Sequence, residues 1–249
     1  MESYYSVDKW KDCGTYYIYN DNPASIGSKQ SKKCRITPSR VDKCIGPSKF
    51  SKPDDIVLEI AGIKKQEIIP EAQAKIDYGI LHEKDARQWY MIKTGYQIKQ
   101  PGFAVPKFDL RLGGESDGLV YDKNDNELDG IIEIKCPTVM YEPIKEHLKK
   151  NNNLTKIEDY TYNNNYKHIW KSHYTQMQME MAIYDKNWCD YIVYCIPENF
   201  VFLERVYRNK QYWDELYEKV KTFIDYKLTP ILEEINSKYP FLPGNNDNL

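Results

Sequence analysis

The segment 115–137 constrains the fold of this chain more than any other, because it reads as two strands joined by a turn. Ser-Asp-Gly-Leu-Val-Tyr is followed by a turn-rich linker at 122–130 and then by Gly-Ile-Ile-Glu-Ile-Lys-Cys-Pro. Residues two apart on a strand point to the same face of a sheet, so Glu133 and Lys135 project together. A hairpin places Asp117 opposite Glu133. The sequence therefore predicts two carboxylates and a lysine on one sheet face.

This combination suits a hard divalent cation, because Mg²⁺ and Mn²⁺ prefer carboxylate, carbonyl and water oxygens. Asp117 and Glu133 are the expected ligands, joined by the backbone carbonyl of Ile134, which lies between the two polar side chains. A lysine beside such a cation can orient a water molecule and stabilise negative charge, and a nearby cation lowers its pKa. The alternative is an ordinary surface hairpin in which Glu133 and Lys135 are solvated.

The remaining pattern predicts a mixed α/β architecture in which helices flank a central mixed sheet. We expect one domain over 1–249, with an N-terminal helical and basic region at 1–70, a core at 71–210, and a C-terminal helix and tail at 211–249. Helices are expected near 39–46, 54–62, 70–95, 169–186 and 209–237, strands over 97–105, 108–122, 130–136, 190–196 and 200–208, and an Asn-rich loop over 145–168.

The distribution of charge, cysteine and apolar residues narrows the kinds of partner and environment expected for this chain. The formal net charge is −2, which says nothing about nucleic acid, but eight basic residues and one acid lie within 29–52. Such a stretch suits a phosphate backbone, although, taken alone, it is better explained as a solvated surface segment. The six cysteines form no CxxC pair, so reduced thiols are expected. The absence of a long apolar run or a secretory signal predicts a soluble, intracellular protein without a membrane partner.

The central motif resembles that of the PD-(D/E)xK nuclease superfamily and, more narrowly, the phage lambda exonuclease/YqaJ viral-recombinase family. That family's pattern is Ser-Pro-Asp-Gly followed by Glu-hydrophobic-Lys-Cys-Pro. Tyr78-Gly-Ile-Leu-His-Glu-Lys-Asp-Ala is similar to the family's helix motif, which implies that Glu83 is a further metal ligand. Tyr174-Thr-Gln-Met-Gln is similar to its Q-x-Q helix, which implies that Gln176 lies beside the metal, although Gln176 could equally be a partly buried hydrogen-bonding residue of a packed helix. Tyr174 is a candidate substrate contact.

The resemblance extends to the N-terminal part of the chain. Ile36-Thr-Pro-Ser-Arg-Val resembles a segment that in the family helps to bind a terminal 5′-phosphate. This implies substrate contacts from Ser39 and from a basic residue in the set Lys32, Lys33, Arg35 and Arg40. Two departures bear on the phosphate: Glu115 replaces the family's serine, and the family's arginine ahead of the Ile-Thr segment has Lys32 as its nearest counterpart.

The resemblance implies a Mg²⁺- or Mn²⁺-dependent deoxyribonuclease that digests linear double-stranded DNA from free 5′ ends for recombination, repair or viral DNA processing. It also implies a single-strand annealing protein as partner, either a trimer or a monomer, and action in the cytoplasm or where viral or phage DNA is replicated. The alternatives are an endonuclease or RNA-degrading nuclease on the same fold, a non-catalytic relict that binds nucleic acid, and a structural protein.

Overall fold

The structure is a computed structural model that describes residues 5–8, 10–19, 32–46, 53–65, 68–150 and 168–238. The basic residues Lys29, Lys49 and Lys52, the Asn-rich runs at 151–153 and 163–165, and the tail at 239–249 lie outside this part of the chain. No described helix is long and apolar enough to cross a membrane.

A five-stranded mixed sheet forms the centre of the fold, in the order β3-β5-β6-β7-β8. Pairing is antiparallel except between β6 and β7, which are parallel. The strands are β3 (Gln97–Lys99), β5 (Gly118–Tyr121), β6 (Glu127–Lys135), β7 (Trp188–Cys195) and β8 (Phe200–Tyr207). A second sheet contains β1 (Lys11–Asp12), β2 (Tyr16–Ile18) and β4 (Ala104–Pro106).

Helices lie against both faces of the five-stranded sheet. They are α1 (Pro38–Cys44), α2 (Pro53–Ile60), α3 (Pro70–Thr94), α4 (Glu142–Lys150), α5 (Lys171–Tyr184), α6 (Lys210–Phe223) and α7 (Thr229–Lys238). Because a parallel strand pair requires a crossover, the chain leaves β6, passes through α4 and α5, and returns as β7. The predicted mixed sheet with flanking helices is confirmed.

The two faces of the sheet are packed by different helices. On one face Ile131 and Tyr191 join the larger core cluster, which also contains Met177 of α5. On the other face Ile132 and Ile134 join a smaller cluster with Ala86 and Tyr90 of α3. Alternation along β6 therefore sends Glu133 toward the face that α5 covers.

Several predicted elements have different bounds. The strand expected over 97–105 is two short strands in different sheets, because Pro101 and Gly102 break the pairing between them. Only Gly118–Tyr121 of the segment 108–122 is a strand. The C-terminal helix is interrupted by a π-helical stretch, Ile224–Leu228. The first residues of the loop expected over 145–168 are helical, because α4 extends to Lys150.

Helix α3 has the predicted ends but not the predicted packing. Pro70 occupies its first turn, and Gly95, with φ 75°, ends it by donating its N–H to the carbonyl of Met91. Of its periodic apolar residues, only Ala86 and Tyr90 are buried, whereas Leu81 is 71% exposed. The spacing of its apolar residues therefore predicted a helix correctly, but most of these residues face solvent instead of the core.

Candidate active site

The candidate site lies at the sheet edge where β5 begins and β6 ends. Gly118 pairs with Ile132, so the preceding residue, Asp117, comes beside Glu133 as the hairpin predicted. The Asp117 carboxylate accepts a hydrogen bond of 2.6 Å from the backbone N–H of Ile134. This bond ties the first carboxylate directly to the strand that carries the second.

Ser116 and Gly118 determine the backbone course around Asp117. The hydroxyl of Ser116 lies 3.1 Å from the carbonyl of Ile132 and accepts the N–H of Gly118 at 3.3 Å. Where the family pattern has proline, this chain therefore has a serine that holds the turn by hydrogen bonds. A Cβ at Gly118 would lie 2.2 Å from Cγ2 of Ile98, so the close approach of β3 requires glycine.

Glu133, Lys135 and Gln176 form one hydrogen-bonded group. The Lys135 ammonium lies 2.6 Å from Oε1 of Glu133 and donates to Oε1 of Gln176 at 3.2 Å. Nε2 of Gln176 donates to Oε1 of Glu133 at 2.7 Å. Because an ammonium only donates and a carboxylate only accepts, the orientation of the Gln176 amide is determined. The structure thus brings together three of the predicted catalytic residues, and Asp117 adjoins them.

Burial and mutual repulsion shift the proton affinities of this group. Burial, then the negative charges of Glu133 and Glu83, raise the pKa of Asp117 well above its usual value. The pKa of Glu83 is also raised, by burial and by Glu133, although Arg87 opposes this from 3.6 Å. Burial lowers the pKa of Lys135, but Glu133 and Asp117 raise it more, so the lysine is protonated. Without a cation, Lys135 is therefore a donor, and lowering of its pKa by a bound cation stays a prediction.

Glu180 belongs to the same group, although no motif in the sequence singles it out. Its side chain is 1% exposed, and its Oε1 accepts a 3.0 Å hydrogen bond from Nε2 of Gln176. Burial, then Glu133 and Asp117, raise its pKa well above the usual value. The available signal was its position four residues after Gln176, which places both side chains on one face of α5.

The carboxylates and the backbone carbonyl at this site are the oxygen ligands that a divalent cation prefers. Their side chains do not, however, surround a common point at which the cation would lie. Among the described residues, no three acidic, histidine or cysteine side chains form a ready-made metal cluster. The Glu133 carboxylate is instead held by Lys135 and Gln176. The raised pKa values of Asp117 and Glu83 show carboxylates that repel one another, and neutralising such repulsion is what a bound Mg²⁺ does.

The structure places some of the predicted phosphate contacts at the surface and one of them in the interior. Lys32 lies 2.5 Å from the carboxylate of Glu115, two residues before Asp117. Ser39 is exposed on α1 and Arg40 is half-buried there. Arg35, in contrast, is 2% exposed and donates from Nε to the carbonyl of Leu110. Its guanidinium lies over aromatic rings in the packed interior, so Arg35 is placed as a core residue rather than at the surface.

Tyr174 is also directed away from the catalytic group. It lies two residues before Gln176 on α5, and this spacing puts the two side chains on nearly opposite faces of the helix. The ring of Tyr174 packs edge-on against Tyr212 at 5.0 Å between ring centroids. The structure therefore does not bring Tyr174 to Gln176. His173 lies nearer, and burial, then the charge of Lys135, lowers its pKa to about 3.

Comparison with known proteins adds the family to this geometry. The family model described as the YqaJ-like viral recombinase domain matches residues 29–187, which include the hairpin, α3 and α5. The chain belongs to this family. Glu83, Asp117, Glu133, Lys135 and Gln176 all fall within the matched YqaJ-like range. No curated protein sequence matches the chain.

Solved structures show the same fold as this YqaJ-like chain. The alkaline exonuclease LHK-Exo from Laribacter hongkongensis is 24% identical, with a TM-score of 0.63, covering 86% of this chain and 97% of that one. Its complex with dAMP is 23% identical, with a TM-score of 0.61, covering 84% and 94%. A phage-related exonuclease from Haemophilus somnus 129PT is 17% identical, with a TM-score of 0.50, covering 80% and 96%.

Proposed function

We propose that this chain is a divalent-cation-dependent deoxyribonuclease that removes nucleotides from the 5′ ends of linear double-stranded DNA. One observation carries the proposal: Asp117, Glu133 and Lys135 meet at a single sheet edge, with Gln176 bonded to two of them. Membership of the YqaJ-like viral recombinase family and the fold shared with alkaline exonucleases support action on DNA ends in recombination.

The proposed chemistry is hydrolysis of a phosphodiester. Asp117, Glu133, Glu83 and the carbonyl of Ile134 would hold Mg²⁺ or Mn²⁺, which when bound neutralises the phosphate and acidifies a water molecule. The Lys135 ammonium supplies a positive charge to the negative oxygens of the transition state. Gln176 holds both Lys135 and Glu133 in place, so their geometry is set before substrate arrives.

The end of the DNA is proposed to lie near Lys32, Ser39 and Arg40. Because Glu115 pairs with Lys32 at 2.5 Å, the positive charge available for a terminal phosphate is reduced. We therefore expect cleavage to depend only weakly on a 5′-phosphate. Replacing Glu115 with serine, as in the family pattern, should make a 5′-phosphorylated end cut faster than a 5′-hydroxyl end.

The wider biological setting follows from the family alone. We propose that the protein acts inside a cell, where viral or phage DNA is replicated or recombined, and that a single-strand annealing protein receives the strand it exposes. We also propose that it acts either as a trimer or as a monomer, and that the chain divides into regions 1–70, 71–210 and 211–249.

The test is a cleavage assay on linear double-stranded DNA labelled at either end, with and without Mg²⁺. Release of the 5′ label from linear DNA, with a closed circle left intact, is the expected result. Lys135→Ala and Glu133→Gln should abolish it. Lys186→Ala is the matched control, because Lys186 makes an equally short 2.6 Å pair with Glu127 at the opposite end of β6.

Other outcomes assign other functions. Cutting of the closed circle would indicate an endonuclease, and preferential loss of an RNA substrate would indicate an RNA-degrading nuclease. Tight binding of DNA with no cleavage in either Mg²⁺ or Mn²⁺ would refute the catalytic proposal and leave a binding protein. If the chain neither cuts nor binds nucleic acid, a structural role is the remaining interpretation.

A further inference from the structure

Glu180 is a buried acid whose hydrogen bonding is incomplete. One carboxylate oxygen, Oε1, accepts from Gln176, while Oε2 is buried and has no hydrogen-bond partner within the described residues. A buried carboxylate left in this state costs free energy, so such a group generally has a counterion or a ligand. A second buried acid in this protein, Asp190, has the partners that Glu180 lacks.

Asp190 on β7 is equally buried but fully partnered. It accepts from Nε and Nη2 of Arg205 at 2.7 and 2.9 Å and from the hydroxyl of Tyr90 at 2.6 Å. It packs on the face that α3 covers, as does Tyr90. This fold can therefore supply an arginine to a buried acid, but no arginine of the described residues pairs with Glu180.

The charges around Glu180 do not balance without a cation. The negative charge of Glu133 raises the pKa of three described carboxyl groups, those of Glu83, Asp117 and Glu180, so the four acids lie close enough to interact. Lys135 pairs with Glu133 and Arg87 pairs with Glu83. When all four acids are ionised, the excess of two negative charges equals the charge of one divalent cation.

Glu180 also helps to fix the amide of Gln176. Nε2 of that amide donates to two carboxylates, Glu133 at 2.7 Å and Glu180 at 3.0 Å, while its Oε1 accepts from Lys135. Glu180 thus holds the side chain from the α5 side, and Glu133 holds it from the sheet.

We propose that Glu180 is a fourth carboxylate of the cation site, supplying negative charge to a hydrated divalent cation and positioning the Gln176 amide between Glu133 and Lys135. The inference rests on the proposed function for the identity of the site. It extends that function by assigning an acid on α5, the helix opposite α3, to cation binding.

Cation affinity measured without DNA tests this proposal on the full chain. Binding of Mn²⁺ is followed by calorimetry in the wild type, Glu180→Gln, Glu180→Asp and Asp190→Asn. Glu180→Gln keeps the shape and removes the charge, so Mn²⁺ binding should weaken by roughly tenfold or more, given the strength of charge interactions in a partly buried site. Glu180→Asp should retain affinity within a few-fold, because it keeps the charge.

Asp190→Asn controls for loss of stability. It removes a buried charge on the other sheet face, so it should unfold at lower temperature but bind Mn²⁺ like the wild type. Without a cation, Glu180→Gln should unfold no more easily than the wild type, because glutamine keeps the shape of the side chain and leaves no buried carboxylate. A readout for positioning is added at saturating Mn²⁺: kcat should fall in Glu180→Gln, with KM for DNA unchanged.

The outcomes separate this inference from the proposed function. Wild-type affinity for Mn²⁺ in Glu180→Gln would overturn the inference, whether or not the protein cuts DNA. Weakened binding in that variant supports it even if no substrate is cut, in which case only the nuclease proposal fails. A wild type that binds no Mn²⁺ overturns the inference and the cation dependence together.

Discussion

Gly118 offers a direct test of how the backbone positions the catalytic aspartate. An added Cβ would lie 2.2 Å from Cγ2 of Ile98 and 3.2 Å from Cγ1 of Ile132, on the two neighbouring strands. Cγ2 is attached directly to the branched Cβ of Ile98, so it cannot move away unless χ1 or the backbone of β3 shifts. Gly118→Ala should therefore force β3 and β5 apart next to Asp117.

The expected cost is about 1–3 kcal/mol, which is typical of overpacking in a well-packed region. In a chain of this size it corresponds to a melting temperature lower by roughly 2–4 °C for each kcal/mol. Urea unfolding, read by tyrosine and tryptophan fluorescence, measures it. Because Asp117 precedes the strained residue, Mn²⁺ affinity should fall together with stability.

Two further variants make the argument refutable. Gly46→Ala is the control, because no described atom lies within 4 Å of the position that its Cβ would take, and the change should stay within about 0.5 kcal/mol. Ile98→Ala removes the clashing methyl group, so the double variant Gly118→Ala/Ile98→Ala should be more stable than the sum of the single changes predicts. Additive changes, or a Gly118→Ala protein as stable as the wild type, would show that the strands do not approach as described.

Three other changes have outcomes set by the structure. Asp190→Asn breaks a buried pair with Arg205 and should cost about 3–5 kcal/mol in urea unfolding; a loss below about 1 kcal/mol would contradict the buried pairing. Tyr184→Phe removes the hydroxyl that accepts the N–H of Ser116 at 3.3 Å, so unfolding should become easier by about 1–3 kcal/mol, and an unchanged midpoint would argue against that bond. The pKa of His173 is lowered to about 3 in the folded protein, whereas in the unfolded chain this histidine takes up a proton near pH 6.5. The contribution of His173 to the free energy of unfolding should therefore be complete above pH 6.5 and should be lost as the pH falls toward 3. His173→Gln should flatten this slope in pH-dependent unfolding, and an unaltered slope would assign it to other groups.

The parts of the fold that could be predicted are those determined by short stretches of sequence. Alternation along β6 placed Glu133 and Lys135 on one face, and the short linker placed Asp117 beside them. Pro70 and Gly95 marked the ends of α3, because their backbone preferences suit the first turn and the left-handed residue after a helix. Such features depend on neighbours in the chain and need no knowledge of tertiary packing.

The parts that could not be predicted depend on which elements meet in space. Arg35 reads as a surface cation in the sequence, yet the packing of Tyr5 and the loop near Leu110 encloses it. Leu81 sits at a helical spacing typical of a core face but remains exposed. Glu180 became visible as a member of the site only because α5 packs against β6 and carries its carboxylate toward Asp117.

The parallel pairing of β6 with β7 has a consequence for the order of folding. Asp117 and Ile134 are 17 positions apart and meet within one hairpin, whereas Lys135 and Gln176 are 41 positions apart and meet only after the crossover has returned to the sheet. Contacts of longer range close more slowly because more chain entropy is lost first. In refolding, Asp117 and Glu133 should therefore meet before α5 brings Gln176 and Glu180 to them, and recovery of cation binding should report the last step of assembly rather than the first.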